Sequence, residues 1–452
     1  MLATLRNALK VKDLRQRLFF TFMMLLVIRL GSQLPCPGVD RTYFSSWFAK
    51  QSAEAFNFFN AFTGGSFEQM SILALSITPY ITSSIIIQLL TIAIPQLEEM
   101  QRDGEDGRKK LTAITRYVTV GLALIEGTAM AIGFGNQGLI PAMSSSSATF
   151  FTKAGSVITV VAALTAGSTF LMWIGERITE KGVGNGTSIV LMINILSRIP
   201  SDMNSLFEMF VFKDGQTVAK GALAAVIIIA VILVTIVLVI VLNDATRKIP
   251  VQYAKRIVGN KQYGGARQYI PLKVNAAGVM PIIFAQAIMF IPITFIGFSN
   301  VNDAGGFLHA FTDHTSFWYN FVFAVMIILF TYFYTAITIN PTQMAEDMKR
   351  NNGFIPGIKP GKKTAEYIDD IMSRITLPGS FFLALVAIMP DFAGIFGVQA
   401  GFAQFFGGTS LLILVGVVLD TLQQVESHLL MRHYDGLLKS GRIKGRAGVA
   451  AY

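Results

Sequence analysis

Charged side chains are scarce in this chain: Asp, Glu, Lys and Arg make up 14% of its 452 residues, against about 25% in a soluble domain. Cysteine is scarcer still, and the single Cys36 rules out an internal disulfide framework and any cysteine-built metal site. Four histidines, His309, His314, His428 and His433, stand without metal-ligand spacing. No acid–base or nucleophilic constellation emerges, so catalytic residues, metal ligands and cofactors are all assigned as none. The run Pro360–Thr364 (PGKKT) resembles the tail of a phosphate loop. However, no glycine stands five residues before Gly361, and Lys363 displaces the Ser/Thr. Any nucleotide energy must therefore come from elsewhere, and an enzyme is not expected. Asn185-Gly186-Thr187 fits a glycosylation sequon, but it falls at a cytoplasmic span end, where that chemistry does not occur.

What fills the chain instead is apolar sequence. Hydrophobic residues make up 52%, and the runs recur along the whole length, leaving no room for a separate soluble domain. Met1–Arg17 is basic and polar, and Leu18–Leu34 follows without a small-residue cleavage site, so it reads as a retained first span. About 20 helical residues cross a hydrocarbon core of about 30 Å. On that measure ten spans fall near 18–34, 70–92, 114–134, 154–175, 183–199, 218–242, 275–297, 318–340, 375–393 and 406–424. With Met1 in the cytoplasm, roughly 30 of the 37 Lys and Arg lie in cytoplasmic segments and only about 6 in the opposite loops, the positive-inside bias. Both termini are expected inside.

Two features point to a pathway. Ser71–Leu90 (SILALSITPYITSSIIIQLL) is an uncharged helix candidate with a proline near its middle and Ser, Thr and Gln where a lipid-facing helix would carry Leu or Val. Before it, Phe56–Met70 is apolar but Gly-broken and too short to cross. A short broken segment feeding a full span builds something inside a membrane cavity. Ionisable groups at hydrocarbon depth are nearly absent. Glu126 sits well within the third span, and Arg29 lies toward the outer half of the first, where it can snorkel. An ion-coupled transporter needs midplane carboxylates, and an ion pore needs a charged ring. Neither is visible, which suits a cargo that is not chosen by charge. A secondary transporter of small solutes is the alternative, and it would require coupling carboxylates.

The net charge of +10 is mostly topogenic, yet two cytoplasmic loops are larger than topology requires. Asn243–Val274 carries seven basic residues against Asp244 alone, and its pieces VQYAKRIV and RQYIPLKV flank GNKQYGGA as a hairpin with a Gly-rich turn. Pro341–Arg374 contains GFIPGIKPGKK, a Pro/Gly-stiffened basic tip centred on Lys359. Such protrusions suit acidic protein surfaces or RNA equally well.

Ordered motifs then carry a family resemblance. GxxPYIxxSIIIQLL lies at Ser76–Leu90, with Ser76 where the family usually has glycine, and WIGERITEKGVGNGTSI lies at Trp173–Ile189. Arg29–Val39, Tyr253–Arg256, Ile270–Pro281, Phe354–Asp369 and Phe406–Ile413 follow the family's motifs in order. The chain resembles the SecY/Sec61 alpha family over essentially its whole length. The resemblance implies an all-α polytopic membrane protein with ten transmembrane helices in two inverted, pseudo-symmetric five-helix halves and a re-entrant plug helix. The divisions are a cytoplasmic N-terminus at 1–17, an N-terminal half at 18–200 with the plug near 56–68, a C-terminal half at 201–424 with loops 243–274 and 341–374, and a cytoplasmic tail at 425–452, hinged near Pro200–Gln216.

The same resemblance assigns residues. The pore ring is Ile81, Ile85, Thr187, Leu191, Met280 and Ile413, with Thr187 departing from the usual aliphatic residue. The plug is Phe56, Asn57, Phe58, Phe59, Asn60, Phe62, Gly64 and Gly65, whose glycines give backbone freedom to move. A polar cluster of Glu126, Asn275 and Gln88 steadies a lateral gate between the second and seventh spans. Partner docking falls to Lys255, Arg256 and Lys359. The implied function is a passive protein-conducting channel in the bacterial plasma membrane. Its implied partners are SecE, SecG, the SecA ATPase and the ribosome, with YidC or SecDF as further candidates. Its substrates are preproteins and signal sequences, and its solvent is the lipid bilayer.

Overall fold

The computed structural model describes residues 9–50, 60, 63–144, 149–210, 218–253, 256–258, 261–263, 267–286, 288–289, 316–395 and 409–439. These are mostly helical, and the long helices are α1 (Lys12–Gly31), α2 (Thr78–Ala93), α3 (Glu105–Phe134), α4 (Phe150–Lys181), α5 (Gly186–Phe210), α6 (Val218–Asp244), α7 (Phe317–Thr338), α8 (Pro341–Arg350), α9 (Lys362–Ile395) and α10 (Thr409–Lys439). Among the described residues, five helices are long and apolar enough to cross a bilayer, or six if Thr78–Ala93 and Pro95–Gln101, bent by 107°, count as one span. The expected seventh span, 275–297, is described only as far as Met289. Large apolar side chains stand exposed at helical spacing, as with Leu233, Val234, Val237 and Val241 on α6 and Phe381 and Leu385 on α9. That is how a helix presents itself to lipid rather than to water.

The chain divides into two compact units, one comprising 1–45, 63–196 and 417–452 and the other 46–62 and 197–416. In the first unit, α2 packs on α3, and α3 on α4. The second span starts later than the apolar run suggests: 72–77 are turns, and the helix opens at Thr78 with Pro79 in its first turn. Proline is tolerated there because that N–H would lack a helical partner anyway. Pro79 therefore starts the helix and does not interrupt it.

The turn between α4 and α5, the GVGNG stretch, is pinned by side chains far away in sequence. Val183 N–H donates to Thr21 Oγ1 (3.2 Å), and Gly184 N–H to Gln424 Oε1 (3.0 Å). Gly184 takes φ +86°, open to glycine, and a Cβ at Gly186 would collide with the Gly175 carbonyl. Leu14, Val183 and Val425 close a small buried cluster around this turn. At its other end α5 does not stop at Pro200 but continues through it to Phe210, although proline forgoes one i→i−4 hydrogen bond.

In the second unit the expected hairpin forms with its first strand displaced toward the N-terminus, and a second short pair occupies residues 256–263, where the strand end and the Gly-rich turn were expected. Strand β1 (Thr246–Tyr253) pairs antiparallel with β4 (Arg267–Lys273) in the register Thr246↔Lys273 to Gln252↔Arg267. Strands β2 (Arg256–Val258) and β3 (Lys261–Tyr263) form a nested pair between them. A two-residue strand from the other basic loop, β5 (Gly353–Phe354), adds to β1, giving the sheet order β4-β1-β5. Alternation along β1 sends Ile249 and Val251 inward. There they join Leu272, Met348, Ile355, Ile368 and Met372 in a core shared with α8 and α9. The two basic loops are thus one folded element.

Candidate functional site

The first unit holds four of the six proposed ring residues. On α2, Ile81 and Ile85 are buried one helical turn apart. Ser83 and Thr119 of α3 meet hydroxyl to hydroxyl at 2.5 Å, which fixes the rotation of α2. On α5, Leu191 is buried. Thr187 lies in the first turn, where its N–H is capped by Asn185 Oδ1 at 3.1 Å. It also lines a cavity of about 650 Å³ with Tyr80, Arg116, Trp173 and Glu176. Arg116 and Glu176 are ion-paired across that cavity at 2.9 Å, a pairing between α3 and α4 that no local pattern announced. In the second unit, Met280 is half-buried and Ile413 fully buried.

Of the plug residues, Phe56, Asn57, Phe58, Phe59 and Phe62 lie outside the described residues, and Asn60 is buried. Gly64 and Gly65 are both left-handed, at φ +66° and +83°. Gly64 is more constrained than a freely moving hinge would be: a Cβ there would come within 2.9 Å of Arg29 Nη1 and of the Asn194 Cα and carbonyl oxygen. Gly65 faces open space. Just beyond, Phe67 packs edge-on against Phe44 (5.6 Å between centroids) and Phe134 (6.2 Å). Cys36 N–H donates to the Met70 carbonyl, and Ile72 N–H to that of Leu34, both at 3.0 Å. Residues 70–72 are thus strapped to α1's C-terminal extension.

This segment ends at Ser76, a non-glycine residue at φ +53°. Its hydroxyl accepts from Asn194 Nδ2 (3.1 Å), and its carbonyl accepts from Ser168 Oγ (3.2 Å), all three residues being buried. The sequence reading missed Asn194 and Ser168; their only advance signal was a polar side chain within an apolar span.

The three expected polar-cluster residues fall in different units, Glu126 and Gln88 in the first and Asn275 in the second. Asn275 is buried and donates from Nδ2 to Asn243 Oδ1 at 2.8 Å, at the base of the β1–β4 hairpin. Glu126 is half-buried on α3, and Gln88 is exposed on α2. Lys255 and the Arg256 side chain lie outside the described residues. Lys359 is exposed at a turn shaped by two left-handed glycines, Gly357 at φ +87° and Gly361 at φ +105°. Its carbonyl accepts from Thr364 Oγ1 at 3.0 Å, and Ile355 anchors the turn in the core below. Among the described residues, no group of three His, Cys, Asp or Glu could hold a metal ion.

The SecY family model matches residues 71–422. The Protein translocase subunit SecY of Halalkalibacterium halodurans is 44% identical over 443 residues, covering 97% of this chain and 100% of that protein. Among solved structures, one described as a protein-conducting channel aligns with a TM-score of 0.60 at 16% identity, covering 95% of each chain. Another aligns with a TM-score of 0.59 at 15% identity, again covering 95% of each. That structure accompanies the statement that the plug domain of its SecY protein stabilises the closed state of the translocation channel and maintains a membrane seal.

Proposed function

Because the chain belongs to the SecY family, we propose that it is a protein-conducting channel that passes unfolded preproteins across the bacterial plasma membrane. The same channel releases transmembrane segments sideways into lipid. The observation that carries this reading is the 44% identity, over the full length of the relative, to a protein translocase subunit. It is a multi-pass membrane protein, and both its termini lie in the cytoplasm.

The chemistry of the ring positions supports the reading. Ile81, Ile85, Leu191, Met280 and Ile413 carry no charge, and Thr187 contributes a single hydroxyl. A polypeptide presents every kind of side chain in turn, so a charged or strongly hydrogen-bonding constriction would hold some residues and stall them. Aliphatic side chains hold none strongly, and they exclude small ions by dewetting when the channel is empty. The plug near 56–68 completes the seal. The lateral gate is held by weak polar contacts, since interhelical hydrogen bonds in membranes average about 0.6 kcal/mol, so an apolar signal helix replaces them at little cost.

Driving force comes from outside the chain, from SecA or the ribosome, docking on the folded cytoplasmic element and on Lys359. SecE and SecG complete the assembly. The test is reconstitution: purified chain with its partner subunits in vesicles, plus SecA, ATP and a preprotein. The expected result is that the preprotein becomes protease-protected in the lumen. Uptake of small solutes without preprotein protection would refute the proposal.

A further inference from the structure

Asparagine is followed by glycine at two places, Asn185-Gly186 and Asn352-Gly353. This dipeptide carries a specific chemistry. The main-chain nitrogen of the glycine attacks the side-chain carbonyl carbon of the asparagine, because glycine has no Cβ to stand in the way. The new N–C bond closes a succinimide ring, the nitrogen gives up its proton and ammonia leaves. Water then opens the ring on either side, giving aspartate or an isoaspartate whose main chain contains an additional carbon. The reaction needs a side chain free to rotate and a glycine nitrogen free to approach it.

The fold treats the two pairs oppositely. Asn185 Oδ1 accepts from the N–H groups of Thr187 (3.1 Å) and Ser188 (3.5 Å) at the start of α5, which holds the side chain in place. Gly186 N–H donates to Thr179 Oγ1 at 2.9 Å, and Gly186 packs so closely on the Gly175 carbonyl that no Cβ fits. Neither reactant moves without breaking the turn between α4 and α5. Asn352 is exposed, and among the described residues no hydrogen bond holds its side-chain amide. Its main chain lies just past the end of α8 at φ +54°, with its N–H on the Lys349 carbonyl at 3.1 Å; asparagine tolerates that conformation better than most residues. Gly353 opens β5, a strand of two residues at the edge of the sheet, and so short an edge opens locally at low cost.

We propose that Asn352 is a site of spontaneous deamidation in the folded chain while Asn185 is protected, and that isoaspartate at 352 detaches β5 from β1. Strand β5 is held by the pairs Gln252↔Phe354 and Tyr253↔Gly353, so an additional main-chain carbon immediately before Gly353 puts both out of register. The new carboxylate lies beside the C-terminal end of α8, where negative charge is unfavourable, but Lys349 and Arg350 in the last turn offset it. The displacement therefore follows from the lengthened main chain and not from the charge. Beyond β5 lies the turn at 355–361 that carries Lys359, so the loosened segment runs from 353 to 361. This chemistry stands independently of the channel reading.

The experiment ages the complete chain in vesicles in mildly alkaline buffer and reads the exchange of amide for carboxylate at each asparagine by peptide mass spectrometry. Asn352 is expected to lose its amide progressively, and Asn185 at least about tenfold more slowly, the factor set by breaking even one buried hydrogen bond. In denaturant the two should convert alike, since their difference lies in the fold. Limited proteolysis should cut the aged chain faster between residues 353 and 361 than the fresh chain. Aged Asn352→Gln, whose longer side chain closes the ring poorly, should stay as resistant as the fresh chain. So should fresh Asn352→Asp, which gains the charge without the additional carbon. Retention of the Asn352 amide through ageing, or equal conversion of both asparagines in the folded chain, overturns the site. An aged chain that carries isoaspartate yet is cut no faster, or fresh Asn352→Asp cut as fast as the aged chain, overturns the detachment of β5.

Discussion

Replacing Gly64 by alanine should open a larger leak than the same change at Gly65. Both residues are left-handed, at φ +66° and +83°, so alanine at either carries a backbone penalty of about 1–2 kcal/mol. Their surroundings differ. At Gly65 the new methyl meets nothing within 4 Å, whereas at Gly64 it meets Asn194 Cα, the Asn194 carbonyl oxygen and Arg29 Nη1, each at 2.9 Å. The arginine can swing away, but helical backbone cannot, and overpacking of this kind costs a further ~1–3 kcal/mol. Gly64→Ala therefore destabilises the close-packed turn at residues 64–65 by about 2–5 kcal/mol, at least roughly 30-fold in the ratio of closed to open turn at about 1.4 kcal/mol per decade. Gly65→Ala, which lacks the ~1–3 kcal/mol of overpacking, shifts that ratio at least about fivefold less. The assay is anion efflux from vesicles holding the channel without cargo, with thermal midpoints as a control on folding. Equal, wild-type efflux from both variants would refute the claim that Gly64 marks a closed seat.

Three further outcomes follow from the geometry. Val251→Ala removes buried volume from the core beneath the cytoplasmic sheet and should cost about 1–3 kcal/mol locally; limited proteolysis should then cut between residues 246 and 273 faster, while the spans stay resistant. Lys359→Glu should abolish SecA-driven translocation without changing the melting midpoint, because the turn is held by Gly357, Gly361 and Ile355; Lys359→Arg should retain or strengthen coupling, since the guanidinium adds a bidentate fork, and salt titration of SecA binding checks both. Burial pushes the Cys36 thiol up to about 11, so its thiolate is rare at neutral pH. Maleimide labelling should be slow at pH 7 and accelerate as pH rises toward 11, unlike that of an exposed control cysteine.

What could be read in advance was what repeats locally or recurs as a motif. Apolar runs, the basic bias of one side and the hairpin of residues 251–273 follow from composition and period. The exact start of α2 did not, because an apolar run looks the same whether turn or helix. Only the pairing of Pro79 with the left-handed Ser76 places the boundary at Thr78. The continuation of α5 through Pro200 went the other way, with the helix outlasting a residue that usually ends one. Strand β5 is two residues long, too short for any periodicity, and its pairing with β1 about a hundred residues earlier is a tertiary event. The same holds for Asn194 and Ser76, which are 118 residues apart, and for Arg116 and Glu176, 60 apart. Spacing along the chain cannot reveal contacts of that range. Glycine roles were partly legible: the pair at 64–65 was expected to supply freedom, whereas at Gly64 the requirement is close approach.

The central claim is that cargo passes along a waist lined by Ile85 and Met280. Photoreactive residues placed at those two positions, one at a time, in vesicles engaged with a preprotein stalled midway, should crosslink to the stalled chain. Probes at lipid-facing Val237 and Phe381, exposed on α6 and α9, should not. Crosslinks from Val237 or Phe381 with silence at Ile85 and Met280 would contradict the account.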